Sequence, residues 1–90
     1  MKHSIRITVK GRVQGVHYRA NAQKQALGLN ITGYAKNLDN GDVEVVAIGH
    51  PEALRQLADW CGQGPMHAQV VEIIVQDHPI EESHSHFAVL

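Results

Sequence analysis

Ile31-Thr32-Gly33-Tyr34-Ala35-Lys36-Asn37-Leu38-Asp39-Asn40-Gly41-Asp42-Val43-Glu44-Val45-Val46-Ala47-Ile48 is the stretch on which the fold turns. Ile31 to Leu38 reads as one strand and Val43 to Ile48 as its return. Between them stands Asn40-Gly41, the strongest short hairpin signal, because both residues tolerate positive φ. Two strands joined this tightly run antiparallel and lie side by side.

The elements on either side follow from periodicity. Ile5, Ile7 and Val9 alternate with Arg6, Thr8 and Lys10, the period of a half-buried strand. Gly11 to Tyr18 breaks that alternation with two glycines. From Tyr18 the apolar spacing becomes Tyr18, Ala22, Ala26 and Leu29, one face of a helix that Gly28 stops. Beyond the hairpin, Pro51 and Glu52 open a second helix: proline gives up an N–H that would be unpaired anyway, and glutamate meets the helix dipole. Leu54, Leu57, Ala58 and Cys61 form its buried stripe, with Gly62 and Gly64 closing it. Val71, Ile73 and Val75 mark a further strand, and Phe87 to Leu90 a short last one.

The order is βαββαβ with an extra C-terminal strand. This is an α+β, ferredoxin-like sandwich, with a mostly antiparallel sheet and two helices on one face. The 90 residues make a single domain, 1–90, with no room for a second core.

Bulk properties limit the function classes. The chain is 43% hydrophobic and 19% charged, which is globular rather than disordered. A formal charge of -1 provides no field to gather nucleic acid, so any anion site must be local. No apolar run is long enough to cross a membrane, and the polar, basic start Met1 to Arg6 is unlike a signal peptide. A single cysteine, Cys61, excludes an internal disulfide. A cytoplasmic location and a monomer are expected.

The informative loop is Gly11-Arg12-Val13-Gln14-Gly15-Val16-His17-Tyr18-Arg19, which leads from a strand into a helix. The first N–H groups of a helix lack partners inside it, and the dipole places partial positive charge there. Gly11 and Gly15 permit turns that bring successive amides onto one concave surface, and Arg19 in the first turn can grip two phosphate oxygens. On the loop alone, an anion nest stands beside a plainer reading: a tight turn that needs glycine, followed by a surface arginine. The loop has neither the Lys-Ser/Thr ending of a P-loop nor three dinucleotide-type glycines, which argues against nucleotides.

Gly11 to Arg19 resembles the Gly-x-Val-Gln-Gly-Val-x-Phe-Arg signature of the acylphosphatase family. The likeness continues through Gly33-Tyr34-Ala35-Lys36-Asn37, the turn at Asn40-Gly41, Asp42-Val43-Glu44-Val45, Gly64-Pro65, Ala68 and Phe87, and so covers essentially the whole chain. The resemblance implies hydrolysis of acyl phosphates to a carboxylate and inorganic phosphate, with no metal and no cofactor. It implies that the phosphoryl group binds to the amides of Gln14, Gly15, Val16, His17 and Tyr18 and to the Arg19 side chain, while Asn37 orients the attacking water. Arg19 and Asn37 are the catalytic pair so implied. The chain departs from the signature at Tyr18, whose hydroxyl, if buried, needs a partner or an exit to solvent. His17 falls at a variable position and receives no catalytic role.

Other residues read more plainly. His67, His78, His84 and His86 show no zinc-site spacing, so a solvated tail is expected there. Cys61 is expected as a small core residue and Trp60 as a cap on the core rim. Arg12 and Lys36 either add positive potential near the loop or are solvated. A non-catalytic anion- or RNA-binding module of the same fold is the alternative. Against RNA stands the scatter of the aromatics Tyr18, Tyr34, Trp60 and Phe87, none of them in the first or third strand.

Overall fold

The computed structural model describes residues 2–79 and 85–90, in the order β1 (His3–Arg12), α1 (Tyr18–Gly28), β2 (Thr32–Asn37), β3 (Val43–Gly49), α2 (Pro51–Gln63), β4 (Gln69–Asp77) and β5 (Phe87–Val89). Among these residues the strands form one sheet, in the order β4-β1-β3-β2-β5. β1 pairs antiparallel with β3 and β4, β2 antiparallel with β3, and β5 parallel with β2. The ferredoxin-like arrangement is therefore present, with the terminal strand added at the β2 edge.

Alternation decides which face is covered. Ile7 and Val9 of β1, Val43, Val45 and Ala47 of β3 and Ala35 of β2 lie on the helix side and are fully buried. Tyr18, Ala22 and Ala26 of α1 and Leu54, Leu57 and Cys61 of α2 close over them, and Phe87 of β5 joins the same core. Burying a side chain of that size stabilises by roughly 1.5–3 kcal/mol relative to leaving it exposed. Trp60 packs at the rim, its ring centroid 5.3 Å from that of Tyr18.

Two local features differ from the reading by pattern. The hairpin closes through Leu38 and Asp42: Leu38 N–H donates to Asp42 O at 2.8 Å and Gly41 N–H to Leu38 O at 3.1 Å. Gly41 takes positive φ (96°), but Asn40 does not, so this is the three-residue loop with one left-handed glycine rather than the two-residue turn. Asn40 instead caps the loop by accepting from Asp42 N–H through its side chain, at 3.0 Å.

The second feature is in β4. The register slips between Lys10 and Gly11, which pair with Glu72 and Val70, leaving Val71 as a bulge residue. Val71 is accordingly 81% exposed, while Val70 and Ile73 take the core-facing places. Gly11 makes this approach possible, since a Cβ there would sit 2.1 Å from Gln69 O. Gly11 and Arg12 thus still belong to β1, and Gly11 serves the strand pairing rather than the loop. The loop proper runs over residues 13–17.

No helix is long and apolar enough to cross a membrane.

Candidate active site

The loop after β1 crosses the end of the sheet and enters α1 at Tyr18. Gly15 (φ 76°) and His17 (φ 61°) both take left-handed backbone conformations. At Gly15 nothing lies within 4 Å of where a Cβ would stand, so glycine is wanted for its φ and not for space. At His17 the same conformation is held by a residue with a side chain, a strain that tends to concentrate at functional sites. The main-chain N–H groups of residues 14–18 donate to no other described residue. They form a run of unpartnered donors ahead of the helix dipole, the arrangement that suits an anion.

Beside this run lies a cavity of about 300 Å³ lined by Val13, Gly15, His17, Tyr18, Arg19, Ala20, Asn37 and Val89. Arg19 reaches it from the first turn of α1. Asn37 comes from the end of β2, where the period of two puts it on the same face as Gly33 and Ala35. These two residues, from separate elements, meet on one cavity wall. Among the described residues the Asn37 side-chain amide has no hydrogen-bond partner, while its main chain pairs with Val43 in the sheet. Arg19 donates through Nη1 to the main-chain oxygen of Leu90, which leaves most of its five N–H donors for other use.

Of the residues singled out from the sequence, Gly15, His17, Tyr18, Arg19 and Asn37 line the cavity, whereas Gln14 and Val16 do not. The Gln14 side chain turns to the hairpin: its Nε2 donates to Leu38 O at 2.8 Å and to Asp42 O at 2.9 Å. Val13, Ala20 and Val89 line the cavity as well, without being marked out by the sequence pattern. Val89 arrives because β5 pairs parallel with β2 and sets Val89 beside Ala35, two residues before Asn37. Nothing local in the sequence signals that neighbour.

The Tyr18 ring is buried beneath the cavity, and its hydroxyl donates to Cys61 O at 2.7 Å. Burial pushes the Tyr18 pKa well above the ordinary phenol value, so it stays a neutral donor. Burial likewise raises the Cys61 thiol to about 12, which makes it an inert core residue. Lys36 faces the other side of the sheet, 3.8 Å from Glu44, and Arg12 is exposed at the end of β1. Among the described residues no group of three His, Cys, Asp or Glu is placed to hold a metal; His84 lies outside those residues. On the uncovered sheet face Tyr34 is the aromatic present, 3.1 Å from Glu44 Oε1 through its hydroxyl.

Comparison with known proteins gives a consistent result. The family model described as Acylphosphatase matches residues 5–89. A Vibrio cholerae protein named acylphosphatase is 44% identical over 89 residues, covering 99% of this chain and 98% of its own. Solved acylphosphatase structures from Coxiella burnetii and Bacillus subtilis each superpose with a TM-score of 0.93, at 38% and 34% identity. They cover 99% and 100% of this chain, and 93% and 99% of their own.

Proposed function

The chain belongs to the acylphosphatase family, and from that premise we propose how it hydrolyses the carboxyl–phosphate bond of acyl phosphates. The N–H groups of Gln14, Gly15, Val16, His17 and Tyr18 and the Arg19 guanidinium hold the phosphoryl oxygens. The Asn37 side-chain amide holds the water in line with the departing carboxylate. What carries this reading is the convergence of Arg19 and Asn37 on one cavity beside the unpartnered N–H groups of residues 14–18.

The chemistry asks for little more. A carboxylate leaves readily, so no strong general acid is needed. Charge on the equatorial phosphoryl oxygens is met by fixed donors that need no rearrangement as the reaction proceeds. Asn37 is no base, yet its amide can accept from the water while donating to it or to the substrate, which fixes the direction of attack. A phosphate oxygen of the substrate takes up the water proton. Holding water and phosphorus at attacking distance can supply several kcal/mol of the acceleration.

The test is release of benzoate from benzoyl phosphate with and without chelator. Unchanged turnover in chelator and competitive inhibition by inorganic phosphate are expected. Inactive fresh protein, or loss of activity on chelation, would overturn the reading.

A further inference from the structure

We propose that Gln14 is a positioning residue, whose side chain locks the phosphate loop to the hairpin that carries Asn37. The inference rests on Asn37 orienting the water, and it concerns the Gln14 side chain rather than its main-chain N–H.

The geometry is specific. Both donors of the Gln14 amide are spent on the neck of the hairpin, on Leu38 O at 2.8 Å and on Asp42 O at 2.9 Å. Those two carbonyls belong to the residue pair that closes the loop, where Leu38 N–H also donates to Asp42 O. Leu38 directly follows Asn37, so one of the bonds ends a single peptide unit from the proposed water-holding residue. The hairpin neck is itself held from the other side. Lys10 Nζ lies 2.8 Å from Asp42 Oδ2, and Asn40 Oδ1 accepts from Asp42 N–H. Gln14 thus joins the loop to an already fixed point.

The consequence is a division of labour. The loop and Arg19 hold the phosphoryl group, and β2 holds Asn37, on elements that the chain joins only through α1. Without the Gln14 bridge the two halves could each remain intact while their spacing drifts. A displacement near 1 Å between reacting atoms can cost about a hundredfold in rate. Phosphate binding, which needs only the loop half, should be largely spared.

Gln14→Met keeps the length of the side chain and removes both donors. It, Asn37→Ala and the double variant are assayed with benzoyl phosphate for kcat and with inorganic phosphate for inhibition. Gln14→Met is expected to lower kcat about ten- to a hundredfold, with the phosphate inhibition constant moving less than about threefold. In the double variant kcat should match Asn37→Ala within about twofold, because residues acting through one route do not add. Losses that multiply in the double variant, or a phosphate constant that rises as far as kcat falls, would overturn the proposal while leaving Asn37 in place. Near-native kcat in Asn37→Ala would remove the role of Asn37 and the Gln14 inference together.

Gln14→Glu is a second test should the methionine variant not fold. A carboxylate facing two carbonyls repels them, and it regains a donor only when protonated, near its ordinary pKa of about 4.3. Its kcat relative to the native protein should therefore rise as pH falls toward 5. A ratio that does not change with pH would overturn the proposal.

Discussion

The Tyr18 hydroxyl donates to the main-chain carbonyl of Cys61 at 2.7 Å, tying the first residue of α1 to the last turn of α2. Carbonyls at a helix C-terminus have no partner within the helix, and Tyr18 satisfies one of them inside the core. The bond also anchors the residue that precedes Arg19, so core packing and site geometry share one contact.

Tyr18→Phe, which restores the family's usual residue, should therefore separate stability from activity. It leaves a buried carbonyl without its donor, a loss of about 1–2 kcal/mol. For a domain of this size that lowers Tm by roughly 4–15 °C. The ring still fills its place against Trp60, so kcat should stay within about twofold. Calorimetry and benzoyl phosphate turnover check the two halves; a Tm unchanged by the substitution would show the bond to be worth nothing net.

Arg19→Ala should abolish inhibition by inorganic phosphate and lower turnover by about a thousandfold or more, since a guanidinium on a transferring phosphoryl group is worth that much. Arg19→Lys should recover little. An ammonium keeps the charge but not the planar fork that can hold two oxygens and the Leu90 main-chain oxygen at once. Full recovery by lysine would mean that charge alone is required.

Asn37→Ala should lower kcat about a hundredfold and leave phosphate inhibition close to native, the pattern of a group that acts on water and not on the anion. Equal losses in both measurements would assign Asn37 to phosphate binding instead.

The fold was legible because its signals were local. Alternation in Ile5 to Lys10, the Tyr18-Ala22-Ala26 stripe and the Asn40-Gly41 loop each declare an element within a few residues. The pairing of β2 with β3 then followed from their tight connection. What was not legible depended on contacts between distant segments. Gly11 reads as a loop residue until β4 is seen bulging against it, and Val71 alternates with Ile73 and Val75 in the sequence until that bulge sets it apart and turns it outward. The site divides the same way. Gly15 and Arg19 by themselves allow an anion loop or a plain tight turn, and Asn37 could be chosen only by family resemblance, because its meeting with Arg19 depends on how α1 lies over β2. The Gln14 bonds to Leu38 and Asp42, 24 and 28 residues away, leave no trace in local pattern.

Alkaline unfolding offers a last check on the Tyr18–Cys61 contact, and the sign follows from burial. The folded state raises the Cys61 thiol from 9.0 to about 12 and raises the Tyr18 phenol above its ordinary 10.0. Both groups keep their protons in the core after the unfolded chain has released them. Their stabilisation is complete below pH 9 and is lost as pH climbs toward the folded values, by about 1.4 kcal/mol per pH unit for each group. Cys61 acts alone between pH 9 and 10, and Tyr18 joins it above pH 10. In urea unfolding from pH 7 to 11, Cys61→Ala should lie lower at neutral pH because it leaves a small cavity, yet stay flatter between pH 9 and 10. Tyr18→Phe should follow the native slope up to pH 10 and then fall less steeply. Profiles parallel to the native one in both variants would mean that neither proton is held by the fold, and that the core around this contact admits water.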